Sequence, residues 1–388
     1  MSELNLDVRC QREEFLTALQ AADGVVPNNN IKKILSNLQL TAEPDRMVIS
    51  ATDAQVGLRA ILRRVQVDQP GSVLVPAKQL VGILKESRSP DVHLVLQRGD
   101  SSTQLSCRLS DGRYQLPVVA SEEFPTISLF PEQAPTIPIE AETLERMIRR
   151  TIFAVDKDRS SAVLSGVYMA VQDGEFLMTA TDGKVLSEAR NSDERYASLA
   201  ENSIVVPALT VNQLSRLLNL HAVGDVAIAV ERRLIFIRAV LAGSSNADSG
   251  IQVELNSRLV EGVFPSYRNA IPTQAESAVI FESAVLASAV RRTALMTSSA
   301  NRGIVMALEP ERAVLSNFSH SSGTAEIPIA CEYAGTPQRL GLNAGYLQEV
   351  LKVYSREDVA IELNGPGRGM IMRDDDVTFL VMPITLPS

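Results

Sequence analysis

The chain has 388 residues, 45% of them hydrophobic, with 37 Lys and Arg against 46 Asp and Glu and a formal net charge of −9. That length exceeds one ordinary core and fits about three domains of roughly 100 to 150 residues, while the acidic balance counts against nucleic-acid binding unless positive charge gathers on one surface. Three cysteines, Cys10, Cys107 and Cys331, are odd in number and far apart, which speaks against a disulfide framework or a zinc site, and 4% aromatic residues with no Trp leave little for base stacking.

In chain order, Arg12 to Ala22 carries Phe15, Leu16 and Leu19 at helical spacing and predicts a helix stopped at Gly24. Strands are expected at Leu38–Leu40, Met47–Thr52 and Gly57–Val67, where apolar residues and Arg partly alternate. Pro76 stands at the first turn of a second helix running to about Lys85, where its missing N–H costs nothing. Strands at Val92–Gln97, Gln104–Leu109 and Tyr114–Val118 follow, split by turns at Arg98-Gly-Asp and Ser110-Asp-Gly. A third helix is expected near Glu142 and a fifth near Glu282. The links Phe124-Pro-Thr to Ile137-Pro and Phe264-Pro-Ser to Ile271-Pro-Thr carry prolines and read as stiff. The small polar stretch Leu241 to Gly250 reads as a mobile loop inside a hairpin.

The chain repeats itself. Strand, turn and strand recur at Asn37–Val56, Ser165–Leu186 and Asn301–Gly323, the first two copies closing on Ala51-Thr52-Asp53 and Ala180-Thr181-Asp182. Ser72-Val-Leu-Val-Pro-Ala-Lys is echoed by Ser203-Ile-Val-Val-Pro-Ala-Leu and Arg339-Leu-Gly-Leu-Asn-Ala-Gly, and Asp91-Val-His-Leu-Val-Leu by Asp225-Val-Ala-Ile-Ala-Val and Asp358-Val-Ala-Ile-Glu-Leu. The spacing of about 130 residues is domain-sized, far beyond solenoid periods of roughly 20 to 50. The expected fold is α+β: three tandem copies, each with two helices packed on antiparallel sheet, with edge strands continuing the sheet from copy to copy. Domain limits are expected at 1–127, 136–262 and 276–388. Open edges at the ends of such an arc are a liability that head-to-tail pairing of two chains removes.

Thr181-Asp182-Gly183, Leu259-Val-Glu-Gly-Val-Phe-Pro-Ser-Tyr-Arg268 leading into Ile271-Pro272, Asn343 with Tyr346, and the terminal Val381-Met382-Pro383-Ile384 stand in one order on this repeat. With them the chain resembles the bacterial DNA polymerase III beta subunit (sliding clamp) family over essentially its whole length. The resemblance implies clamp-type domains in a head-to-tail dimeric ring, helices lining the hole, duplex DNA passing through without sequence preference, and a non-catalytic processivity role without a cofactor. Implied partners are a second copy, the replicative polymerase catalytic subunit, the clamp loader and other proteins bearing the clamp-binding peptide.

The residues themselves gather positive charge on the helices, and the resemblance implies that this set faces DNA: Lys78, Lys85, Arg146, Arg149, Arg150, Arg216, Arg291, Arg292 and Lys352, while carboxylates crowd turns such as Asp374-Asp375-Asp376. Attraction to phosphate without base-edge contact suits sliding. Carried over by position, the partner-peptide cleft comprises Leu164, Thr181, Gly183, Lys184, Val185, Leu186, Pro265, Ala270, Asn343, Tyr346, Leu380, Val381, Met382, Pro383, Ile384 and Thr385. A flexible Met in an apolar cleft suits varied ligands. The rim departs from the family: Lys184-Val185 stands for His-Arg, Thr385 for Arg, and Gly367 and Gly369 for larger residues. The dimer interface carries over to Tyr114 and Leu116 on one side and Leu295 and Met296 on the other.

The sequence offers two other readings. For an enzyme, His93, His221 and His320 lack metal-ligand spacing; Gly365-Pro-Gly-Arg-Gly369 leads into a strand, so it reads as a hairpin turn; Asp53 and Asp182 each read as a turn cap. A three-repeat interaction scaffold without DNA leaves the basic helices unexplained. No apolar run reaches the roughly 18 residues of a membrane span, and Met1-Ser-Glu-Leu-Asn-Leu-Asp lacks a signal-peptide pattern; a cytoplasmic protein with no membrane partner is expected.

Overall fold

A computed structural model gives the fold and describes residues 5–27, 32–98, 103–119, 121–220, 222–242, 250–272, 274–298, 302–318, 323–365 and 367–386. Residues 243–249 of the expected loop, His221 and His320 lie outside the described residues. The chain divides into two compact units, residues 1–145 with 209–259, and residues 146–208 with 260–388.

Helices α1 (Arg12–Asp23), α2 (Ala77–Glu86), α3 (Ala141–Thr151), α4 (Ala208–Leu218), α5 (Ser283–Ala294) and α6 (Ala344–Val353) stand at the expected places. Their apolar stripes are buried: Phe15, Ala18, Leu19 and Ala22 on α1, Leu80, Val81 and Leu84 on α2, Leu286, Ala289 and Val290 on α5. In the first unit α1 packs on α2 and on the strands Arg46–Thr52 and Val56–Leu62; in the second α5 packs on α6. Pro76 ends a strand and occupies the N-cap position of α2, one residue before the expected first turn.

The first unit holds two antiparallel sheets. One has five strands in the order Val65–Gln69, Asp7–Gln11, Asp91–Arg98, Thr103–Leu109 and Gly112–Pro117. The other has eight: Thr136–Glu140, Ala222–Glu231, Leu234–Leu241, Ile251–Arg258, Val56–Leu62, Arg46–Thr52, Asn37–Glu43 and Gly71–Pro76. The second unit holds a nine-stranded sheet (Asn202–Pro207, Gly166–Gln172, Glu175–Thr181, Val185–Ser192, Val377–Val381, Met370–Asp374, Asp358–Leu363, Ser277–Glu282, Glu332–Tyr333) and a four-stranded one (Glu326–Ala330, Arg312–Asn317, Gly303–Glu309, Gln338–Asn343). Sheet does run from copy to copy: Val56–Leu62 of the first pairs with Ile251–Arg258 of the second, and Val185–Ser192 of the second with Val377–Val381 of the third.

Two readings of the strands are corrected. Gly57–Val67 is two strands broken at Arg63-Arg64, the second crossing to the five-stranded sheet to pair with Asp7–Gln11. A short strand before α1, α3 and α5 (Asp7–Gln11, Thr136–Glu140, Ser277–Glu282) went unread, too brief to show a period of its own. Two edge strands carry proline at their middle and not at their end: Pro138 pairs with Ala227 and Pro328 with Val314. A ladder position held by proline has no donor to give its neighbour, so the missing N–H of Pro328 faces the open side of Glu326–Ala330.

Candidate functional site

The second unit builds a cleft from a turn outward. Between the strands Glu175–Thr181 and Val185–Ser192 the Thr181 hydroxyl donates to the Val185 carbonyl (2.7 Å) and accepts from the Gly183 N–H (3.0 Å). The Asp182 Oδ1 accepts from the N–H groups of Lys184 and Val185 (both 2.8 Å), so both side chains hold the turn and the Asp182 Oδ2 is left over. Gly183 takes φ 85°, a left-handed conformation open to glycine without cost. Asn343 caps α6 by accepting from the Gly345 N–H (2.9 Å), which brings Tyr346 over the turn; its hydroxyl donates to Asp182 at 2.7 Å. Burial, with the Asp182 carboxylate next in weight, pushes the Tyr346 hydroxyl well above the usual tyrosine range.

The same turn receives the chain's last segment. The Met382 N–H donates to the Lys184 carbonyl (2.8 Å) and the Ile384 N–H to Gly341 (2.8 Å). Strand pairing sets Leu186 opposite Leu380, and these two with Ile371 form a buried apolar floor. Tyr267, Ile271 and Met382 pack on it half-buried. Tyr267 is fixed at its far end, its hydroxyl meeting the Glu188 carboxylate and lying 3.1 Å from Thr179, while its ring contacts Tyr168 and Phe264. Burial first, then Glu188, pushes its pKa up to about 12.

Of the expected cleft residues, direct bonds or packing thus join Thr181, Gly183, Lys184, Leu186, Asn343, Tyr346, Leu380, Met382 and Ile384. Leu164 and Pro383 are half-buried, and Pro265, Ala270 and Thr385 exposed. Val185 and Val381 are corrected: they pair with each other one residue away from Leu186 and Leu380 and are fully buried on the opposite side of the strands. Val185 therefore backs the cleft and forms no part of its rim. Tyr267, Ile271 and Ile371 were missed as floor residues, although Tyr267 and Ile271 stand in the quoted motif.

Family models for the DNA polymerase III beta subunit match the chain in succession, the N-terminal domain at residues 6–128, the central domain at 138–266 and the C-terminal domain at 268–385. The chain belongs to the DNA polymerase III beta subunit family. The beta sliding clamp of Synechococcus elongatus is 28% identical over 98% of this chain and 99% of that protein, and that of Pseudomonas aeruginosa 28% identical over 97% and 99%. Among solved structures, the DNA polymerase III subunit beta of Pseudomonas aeruginosa superposes with a TM-score of 0.86 at 27% identity, covering 98% of this chain and 100% of the other. A sliding clamp from the same organism bound to griselimycin gives 0.85 at 26%, with the same coverage.

Within this beta-subunit fold the expected DNA-facing residues divide. Lys78, Lys85, Arg149, Arg216, Arg291, Arg292 and Lys352 are exposed. In the first unit Lys85 and Arg216 line one cavity of about 210 Å³. Arg146 is half-exposed and lies 3.4 Å from Asp376. Arg150 is corrected: it is 5% exposed, bound to Asp376, to Asp374 at 3.3 Å and to the Ser355 hydroxyl at 2.9 Å. A guanidinium so committed to carboxylates is structural, holding the hairpin turn 374–376 to α3. Of the expected interface residues, Tyr114 (41% exposed) and Leu295 (78%) present apolar surface. Leu116, at 4%, packs opposite Leu105 inside its own sheet and is corrected to core. Met296 is half-buried.

Proposed function

We propose that the chain is a non-catalytic DNA sliding clamp that tethers a replicative polymerase to duplex DNA. The observation that carries this reading is the run of three beta-subunit models along one chain, together with near-complete superposition on a solved beta subunit. In this reading the three domains are residues 1–127, 136–262 and 276–388, and two copies close head to tail into a ring. The open edge Gly112–Pro117 of one copy, carrying Tyr114, meets the open edge Glu326–Ala330 and Leu295 of the other. The exposed lysines and arginines of the helices face phosphates, giving attraction without sequence recognition. Partners insert a mostly apolar peptide over the Leu186–Leu380 floor; the polymerase catalytic subunit, the clamp loader and other proteins with such a peptide are the expected ligands. Among the described residues no helix is long and apolar enough to cross a membrane; a cytoplasmic site of action follows from the replication role.

The test uses topology. Protein loaded on nicked circular DNA is expected to withstand moderate salt and to run off once the circle is cut. Equal loss from cut and uncut circles would overturn the ring. Deleting Met382–Ser388 is expected to abolish polymerase stimulation and leave the dimer intact, because the segment's bonds to Lys184 and Gly341 lie within the second unit. Stimulation that survives the deletion refutes the cleft assignment.

A further inference from the structure

The first unit contains a cavity of about 380 Å³, within the roughly 300 to 1,000 Å³ of ligand sites. The internal repeat shows what fits there. The hairpin Asn37–Glu43 with Arg46–Thr52 has the register of the hairpin Gly166–Gln172 with Glu175–Thr181: Gln39 stands opposite Ser50 as Tyr168 opposite Thr179, and Ser50 opposite Arg59 as Thr179 opposite Glu188. The links align as Phe124-Pro-Thr-Ile127 and Phe264-Pro-Ser-Tyr267. In the second copy the Tyr267 ring lies against Tyr168 and Phe264, with its hydroxyl on Thr179 and Glu188. In the first copy the corresponding residues Gln39, Phe124, Ser50 and Arg59 line the cavity, and the corresponding side chain is only isoleucine. Ile127 reaches back to Gly57, where a Cβ would stand 2.7 Å from its Cγ2, so Ser50 and Arg59 face the cavity with no ring against them.

We propose that this cavity receives a tyrosine side chain from a partner protein, seated as Tyr267 is seated in the next copy. The site is separate from the peptide cleft and goes beyond the clamp reading. Phe124 offers the ring an apolar wall, and Ser50 and Arg59 offer the phenol oxygen one hydroxyl and one guanidinium; Arg59 is held in place by Glu254 at 3.0 Å. Glu43 at the cavity is taken by Arg46, whereas Glu122 stands exposed there, so the tyrosine sits in a segment with a basic residue flanking it to face Glu122.

The probe is N-acetyl-L-tyrosinamide titrated into the full chain carrying labelled Ile and Val methyls, with Val48 and Ile127 as reporters because both line the cavity. Saturable shifts are expected at both methyls, with the phenylalanine amide about three- to tenfold weaker for want of the phenol oxygen's bonds. Ile127→Tyr fills the cavity from within and should abolish the Val48 shift without lowering Tm. Ser50→Ala, a gentler change, should narrow the preference for tyrosine over phenylalanine, leaving only what Arg59 supplies. The proposal is overturned by unsaturable or absent shifts, by equal binding of the two amides, by a Val48 shift that persists in Ile127→Tyr, or by a preference left at its full size in Ser50→Ala. Retention on circular DNA is unchanged by Ser50→Ala, so this site and the ring are tested apart.

Discussion

Each unit contains one seam where sheet passes from copy to copy, and the two seams start from the same turn. Thr52 donates to Val56 at 2.7 Å as Thr181 does to Val185, and Asp53 accepts from Gln55 and Val56 as Asp182 does from Lys184 and Val185. They part company on the next rung. The first seam has Gly57 opposite Asn256, and the link lies down on it: Ile127 covers Gly57, and the Asn256 amide donates to the Ser128 carbonyl at 2.8 Å. The second has Leu186 opposite Leu380, too bulky for such close cover, and its neighbours Tyr267, Ile271 and Met382 remain half-buried. One rung changed from Gly and Asn to Leu and Leu turns a rung covered by the link into an apolar floor. The charges differ as well. Arg59, Glu254, Arg238 and Glu132 form a chain of ion pairs across the first seam that runs from a buried Glu254 out to an exposed Glu132, whereas both Arg150 and Asp374 at the second are buried.

The largest effect is expected where the buried pair is broken. Arg150→Ala leaves Asp374 buried beside one fewer cation and should cost about 3–5 kcal/mol in urea unfolding; a loss under ~1 kcal/mol, the scale of an exposed pair, would erase the contrast between the seams. Gly57→Leu forces a side chain into Ile127 and should cost about 1–3 kcal/mol. If it is neutral, the link does not cover Gly57 by close approach. Tyr346→Phe removes a bond to a charged acceptor and should cost about 1.5 kcal/mol, with weaker peptide binding measured by titration; unchanged stability and affinity would show that the turn at the second seam holds itself. Tyr267→Phe separates the seams by pH. The Tyr267 pKa is raised to about 12 in the folded chain, above the ordinary value near 10, so the unfolded chain loses its proton first. The stabilisation is complete below pH ~10 and lost as pH rises towards ~12. Wild type should therefore lose stability over that window more steeply than the variant, and identical slopes would remove Tyr267 from the account.

The helices, the turns at Thr52 and Thr181 and the passage of sheet between copies were legible because each is set by local pattern or by the repeat. Arg150 was not. It sits one helical turn after Arg146 in a basic run, and its burial comes from carboxylates more than 220 positions away. Leu116 was misplaced for a related reason: strand alternation shows that one face is apolar, but only the fold says which neighbour covers it. The break at Arg63-Arg64 was hidden because apolar residues continue on both sides while the chain changes sheets. Tyr267 lay in a quoted motif, yet its place on the cleft floor depends on Glu188, a buried carboxylate in another strand.

Pro328 bears on which assemblies the third copy permits. An edge strand with a full set of outward donors invites its own duplicate, and duplicates pairing by that edge would consume the surface a ring requires. At the middle of Glu326–Ala330 the outward donor is absent. Two such strands placed against each other meet with a middle rung missing on both sides, whereas Gly112–Pro117 can offer N–H groups from Arg113 and Gln115 and has its own proline only at the strand's end. The proline thus biases recognition towards the unlike edge, the polarity by which identical subunits close a circle and avoid facing off in symmetric pairs.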